Sequence, residues 1–205
     1  MIEHQLMDEM DVSVYQSTKK GNWCSGDAVY IIRTASYILL AVTDGLGSGE
    51  DAQKASESVM AIIRRNHDMP LGSLLDRCNY AVWGTRGVVL SILKFDFPSH
   101  QVEYINVGNI TCTFYYPNGK MYRPIPSRGY LSGRKHLSKP STVPFEEGMN
   151  FIVYSDGLEF QPAYHSLFNQ SLPAKDMLEM LVELKVDSND DVAIVLGHVK
   201  MTSTA

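Results

Sequence analysis

At 205 residues and 44% hydrophobic content, the chain is long enough to bury one substantial core and too short for two full-sized domains, so a single domain over 1–205 is expected. Asp plus Glu outnumber Lys plus Arg 23 to 18, for a net charge of -5, which disfavours a protein that grips nucleic-acid phosphates. Cys24, Cys78 and Cys112 lack the close pairing of structural zinc sites and read as reduced thiols, while the longest apolar run, "YILLAV", is too short to span a bilayer and the acidic N-terminus has no apolar signal segment, so a cytoplasmic protein without membrane or nucleic-acid partners is expected.

Residues 12 to 18, "VSVYQST", alternate apolar and polar positions, and "AVYIIR" and "SYILLAVTD" follow with a β-branched and aromatic bias; three strands are predicted. From Glu50 to Asn66 the apolar residues Ala52, Ala55, Val59, Ile62 and Ile63 recur at steps of three and four. Acids stand at the start and Arg64 and Arg65 at the end, which suits the helix dipole. A second helix is predicted from about Pro70 to Trp83, with Leu71, Leu74, Leu75 and Cys78 on one face. Strands then resume: "GVVLSILKFDF", "QVEYINVG", "ITCTFYY" and "KMYRPI", separated by turn residues, read as an antiparallel meander. Residues 124 to 148 are rich in Pro, Gly and Ser and read as an ordered loop, and the stretch from Arg123 to Lys139 carries Arg123, Arg128, Arg134, Lys135 and Lys139 with no acid. "NFIVYSDGLEF" supplies a further strand, residues 174 to 186 a helix, and "DVAIVLGHV" a closing strand.

Four acidic positions share one local pattern: "SGD" at Asp27, "TDG" at Asp44, "SDG" at Asp156 and "NDD" at Asp190 and Asp191, each touching an apolar run. Any one of them reads as a turn cap, since Asp-Gly is a turn pair. All four together point to something else. Strand ends can bring distant residues to a common rim, and gathered carboxylates bind hard divalent cations through oxygen, with magnesium or manganese expected. Asp44 and Asp156 are the sharpest, because each follows a mostly apolar run and precedes a glycine that lets the backbone pass close to a ligand.

Competing motifs fail on spacing. "GLGSGE" places Glu50 where a dinucleotide fingerprint needs its third glycine, and no Gly-Lys-Ser/Thr closes a phosphate loop. The six histidines show no ligand-type pairing, and no nucleophile elbow surrounds Ser48, Ser132 or Ser155. A metal-activated water is the better nucleophile.

Taken in order and spacing, "GD" at 26–27, "VTDGLGSG" at 42–49, "VYSDGL" at 153–158 and "NDDVAIVL" at 189–196 resemble the metal-dependent serine/threonine phosphatases of the protein phosphatase 2C type, over nearly the whole chain and most strongly in their short bacterial branch. The resemblance implies an α+β fold, a four-layer α-β-β-α sandwich with two central antiparallel sheets, and a centre of two Mn²⁺ or Mg²⁺ ions. By motif, Asp44 would bridge both ions, the Gly45 carbonyl would bind one, Asp156 and Asp190 would hold the other, and Asp27 would complete the set, with Asp191 a further ligand. Asp44 and Asp156 are the implied catalytic pair: the ions lower the pKa of a water that attacks phosphorus in line. The family's usual upstream arginine has no counterpart, since residues 12 to 26 contain only Lys19 and Lys20.

The implied activity is hydrolysis of phosphoserine or phosphothreonine on stressosome scaffold proteins, resetting sigma-B general stress signalling, by a monomer. A catalytically inactive, partner-binding domain of the same fold is the alternative, which retention of all four acidic motifs opposes because clustered carboxylates are costly to keep. A nucleotide cyclase lacks a triphosphate loop. Arg128 and Arg134, flanking "GYLSG", are candidates for docking the phosphorylated partner.

Overall fold

The computed structural model describes residues 1–170, 172–184 and 189–200. Six strands form one sheet and five the other. In chain order, β1 (Ile2–Leu6) and β2 (Met10–Ser17) precede β3 (Asp27–Arg33) and β4 (Tyr37–Gly45). Helices α1 (Glu50–Asn66) and α2 (Leu71–Ala81) lead into β5 (Val88–Asp96), β6 (Gln101–Val107), β7 (Thr111–Tyr115), β8 (Met121–Tyr122), β9 (Ser141–Pro144) and β10 (Asn150–Tyr154). A 3-10 helix (Pro162–Asn169), α3 (Ala174–Glu183) and β11 (Val192–Val199) complete the described chain. One sheet runs β1-β2-β11-β10-β7-β8 and the other β3-β4-β5-β6-β9, and all of these neighbours pair antiparallel.

The layering follows from alternation along the central strands. In β4, Ile38, Leu40 and Val42 enter the core between the sheets, while Leu39 and Ala41 turn to a second core shared with Val59 and Ile63 of α1 and Leu71 and Leu74 of α2. In β11, Ala193 and Val195 meet the inter-sheet core, while Val192, Ile194 and Leu196 pack with Met177, Leu178 and Leu181 of α3. Strands buried on both faces read as continuous apolar runs, and three cores between four layers result. Fold class and layer order thus agree with the expected sandwich.

Several elements differ from the sequence reading. The predicted meander is two hairpins divided between the sheets: β5 pairs with β6 in one and β7 with β8 in the other. The chain changes sheet at the 108–110 turn, where Gly108 takes φ 93°. β1 was not expected, because its residues are almost all exposed and carry no apolar stripe. β9 lies inside the stretch read as loop and is an edge strand ending on Pro144, a position where proline is tolerated. "KMYRPI" yields a strand of only 2 residues. The helix expected at 174–186 is seen over Ala174–Glu183; residues 185 and 186 lie outside the described residues. Among the described residues no helix is long and apolar enough to cross a membrane.

Candidate functional site

The period of two along each strand decides which side chains meet at the end of the inter-sheet core. Val42 faces that core, so Asp44, two residues on, does too, and Asp27 stands directly opposite Asp44 in the β3–β4 register. In the facing sheet Val153 and Ala193 enter the same core; Ser155, two after Val153, and Asp191, two before Ala193, continue it. There the apolar core gives way to a cavity of about 170 Å³ lined by Asp27, Asp44, Asp156, Asp190 and Asp191, together with Leu46, Gly47 and Asn109. All five aspartates singled out from sequence are brought together, from four strand ends of two sheets. Gly45 is buried beside them but does not line the cavity; a methyl group there would overlap the Ala52 carbonyl of α1.

Each carboxylate has its own support. Ser155 Oγ donates to Asp27 Oδ2 at 2.6 Å and accepts from the Ala193 amide at 2.9 Å. Asp191, 6% exposed, accepts the Gly26 amide at 2.7 Å on one oxygen and the Lys19 amide at 2.8 Å on the other, so it also fastens the 19–26 loop. Asp190 accepts the Asp191 amide at 3.0 Å and lies 3.6 Å from Lys19 Nζ. Asn109 Nδ2 donates to Asp156 Oδ2 at 2.6 Å. Ser155 and Asn109 were not singled out from sequence as site residues. The "GN" turn was visible as a turn, but which acid it reaches depends on the sheet change.

Crowded acids at the edge of a dry core burden one another. Burial, then the neighbouring Asp44 charge, pushes the Asp27 carboxyl up to about 8, against the pull of the Ser155 hydrogen bond. Burial, followed by Asp156, Asp190 and Asp191, pushes Asp44 up to about 7. Burial and Asp190 raise Asp156 as well. A divalent cation relieves both causes, and an all-oxygen donor set suits magnesium or manganese. Among the described residues no three acidic, histidine or cysteine side chains close around one point at ligand distance. Ions of this class keep several waters and so need few protein ligands apiece; five carboxylates lining one cavity supply an all-oxygen donor set that fits them.

The two arginines proposed for docking do not line the cavity. Arg128 is exposed and follows Ser127, whose backbone is tied to Asn106 and Gly108 at 2.8 and 2.9 Å. The Arg134 carbonyl accepts Asn79 Nδ2 at 2.6 Å, fixing its loop to α2.

Comparison with known proteins gives the same direction. The family model described as stage II sporulation protein E (SpoIIE) matches residues 34–200. The phosphoserine phosphatase RsbX of Bacillus subtilis (strain 168) is 31% identical over 198 residues, 97% of this chain and 99% of that protein. A crystal structure of RsbX in complex with magnesium superposes with a TM-score of 0.92 at 30% identity, over 98% of this chain and 100% of that one. A chain from work on the bacterial stressosome as a modular system adapted to control secondary messenger signalling superposes with a TM-score of 0.82 at 27% identity, over 93% and 100%.

Proposed function

The chain belongs to the stage II sporulation protein E (SpoIIE) family, of the protein phosphatase 2C type, and on that premise we propose that its residues 1–205 act as one domain, a metal-dependent phosphatase of phosphoserine and phosphothreonine in proteins. The observation that carries this reading is the meeting of Asp27, Asp44, Asp156, Asp190 and Asp191 in one cavity. Asp44, Asp156 and Asp190, with Asp27 and the Gly45 carbonyl, would hold two Mn²⁺ or Mg²⁺ ions, and Asp191 would contribute while fastening the 19–26 loop. Bound ions would supply charge neutralisation and an activated water. The chain's own part is positional: Ser155 fixes Asp27, and Asn109 fixes Asp156 at the rim.

The phosphorylated partners are proposed to be stressosome proteins, because RsbX is a phosphoserine phosphatase and a similar chain belongs to a structure that concerns the bacterial stressosome. Their dephosphorylation in the cytoplasm by a monomeric enzyme would reset sigma-B signalling, with Arg128 and Arg134 at the docking face. The test is release of phosphate from a phosphoserine protein with Mn²⁺ and with EDTA. Release with Mn²⁺ and none with EDTA is expected; equal release in both would sink the metal mechanism.

A further inference from the structure

We infer that Arg86, at the rim of the aspartate cavity, holds the oxygens of the substrate's phosphoryl group, a role that rests on the phosphatase reading above. A dianionic phosphoryl group entering a cavity walled by carboxylates meets repulsion unless a cation outside the ligand set engages its free oxygens. Lys19 is already drawn to Asp190. Arg86 is exposed and, among the described residues, has neither a hydrogen bond nor an ion pair, and residues 77–95 around it contain no acid to neutralise it.

Its place is fixed by glycine. Gly47 lines the cavity with φ 104°, and a methyl group on it would come 2.5 Å from Arg86 Nη1 and 3.5 Å from Arg86 Cδ. The guanidinium therefore lies directly over Gly47, in space that any side chain would take. The backbone on both sides is pinned. The Leu46 amide donates to the Gly87 carbonyl at 3.0 Å, the Gly87 amide donates to Thr85 Oγ1 at 3.1 Å, and Val88 exchanges two hydrogen bonds with Leu131 at 3.0 and 2.8 Å. Residues 46–47 and 85–88 thus form one support, which holds a planar five-donor fork beside Gly47; Arg86 itself does not line the cavity, but Gly47 does. That fork matches two phosphoryl oxygens at once, which an ammonium cannot do.

The experiment uses the full chain with Mn²⁺. Inorganic phosphate binding is measured by calorimetry, and steady-state kinetics are measured on a small aryl phosphate. Arg86→Ala is expected to weaken phosphate binding and raise KM for the aryl phosphate by about tenfold or more, with Mn²⁺ affinity unchanged. Arg86→Lys should recover part of the loss, and Gly47→Ala should mimic it by displacing the guanidinium. A wild-type chain that binds phosphate but hydrolyses nothing would defeat the phosphatase reading and leave the phosphate-binding comparison to decide this one. Equal phosphate affinity in wild type and Arg86→Ala, or no phosphate binding by either, overturns the role.

Discussion

Ser155 Oγ donates a 2.6 Å hydrogen bond to Asp27 Oδ2, and the two residues belong to different sheets, one just after β10 and the other at the start of β3. The bond spans the inter-sheet layer where the core opens into the cavity. Ser155→Ala removes the donor to a buried carboxyl and the acceptor of the Ala193 amide together. We expect it to lower unfolding free energy by about 1–3 kcal/mol, measured by urea denaturation in EDTA, and to weaken Mn²⁺ binding. A loss within error of zero would show that the bond contributes nothing net.

Asp44 and Asp27 face each other across the register, yet they should not be equivalent. Asp27 is held by Ser155 Oγ, whereas Asp44 lines the cavity with Asp156 and Asp190 and is the carboxylate that the proposed centre shares between its ions. Asp44→Ala is expected to abolish phosphatase activity and to weaken Mn²⁺ binding more than Asp27→Ala does. Isothermal titration of both variants gives the order, and unchanged Mn²⁺ affinity in Asp44→Ala would refute the bridging assignment.

The raised carboxyls make the metal-free protein sensitive to pH. Burial and the neighbouring carboxylates push folded Asp27 up to about 8 and Asp44 up to about 7, whereas the ordinary value for an unfolded aspartate is about 3.9. Between these values the folded chain holds protons that the unfolded chain has released. The contribution is therefore fully present below about pH 4 and is lost as pH rises through 7 to 8. Asp44→Asn removes part of the burden while keeping the shape. In EDTA, the stability of wild type relative to Asp44→Asn should fall between pH 5 and pH 8.5, and saturating Mn²⁺ should reverse the ranking at the higher pH. A difference that stays flat with pH in EDTA would contradict the mutual burden.

What the sequence disclosed follows from how each feature is encoded. Helix α1 carries its own start and stop, with Glu50 and Asp51 first and Arg64 and Arg65 last, and β4 is a run buried on both faces; such elements are locally specified. β1 and β9 exist through pairing with β2 and β6, and their own residues are too exposed or too rich in turn formers to announce a strand. Alternation reveals which positions are buried, but not which sheet a strand joins, so the division of β5–β8 between two sheets was not legible. The five aspartates were legible because an acid at the end of an apolar run is conspicuous. Ser155 and Asn109 were not, since each acquires its partner only when segments distant in sequence meet, and Arg86 was not, since only the fold lays it over Gly47.

Arg128 and Arg134 belong to a stretch with no acid from residue 104 to residue 145. They stand outside the cavity, so a docking role should affect the protein substrate alone. Alanine at either position is expected to raise KM for a phosphorylated protein, by an amount that shrinks as salt rises, with near-normal turnover of a small aryl phosphate. Wild-type behaviour toward the protein substrate across a salt series would remove this loop from the docking face.

The most direct measurement of the central claim is anomalous scattering from a crystal soaked in Mn²⁺. We expect two peaks within the cavity, one shared by Asp44 with the side of Asp27 and Gly45, the other shared by Asp44 with Asp156 and Asp190. An aspartate cavity without an anomalous peak at saturating Mn²⁺ would contradict the metal centre, and with it the proposed chemistry.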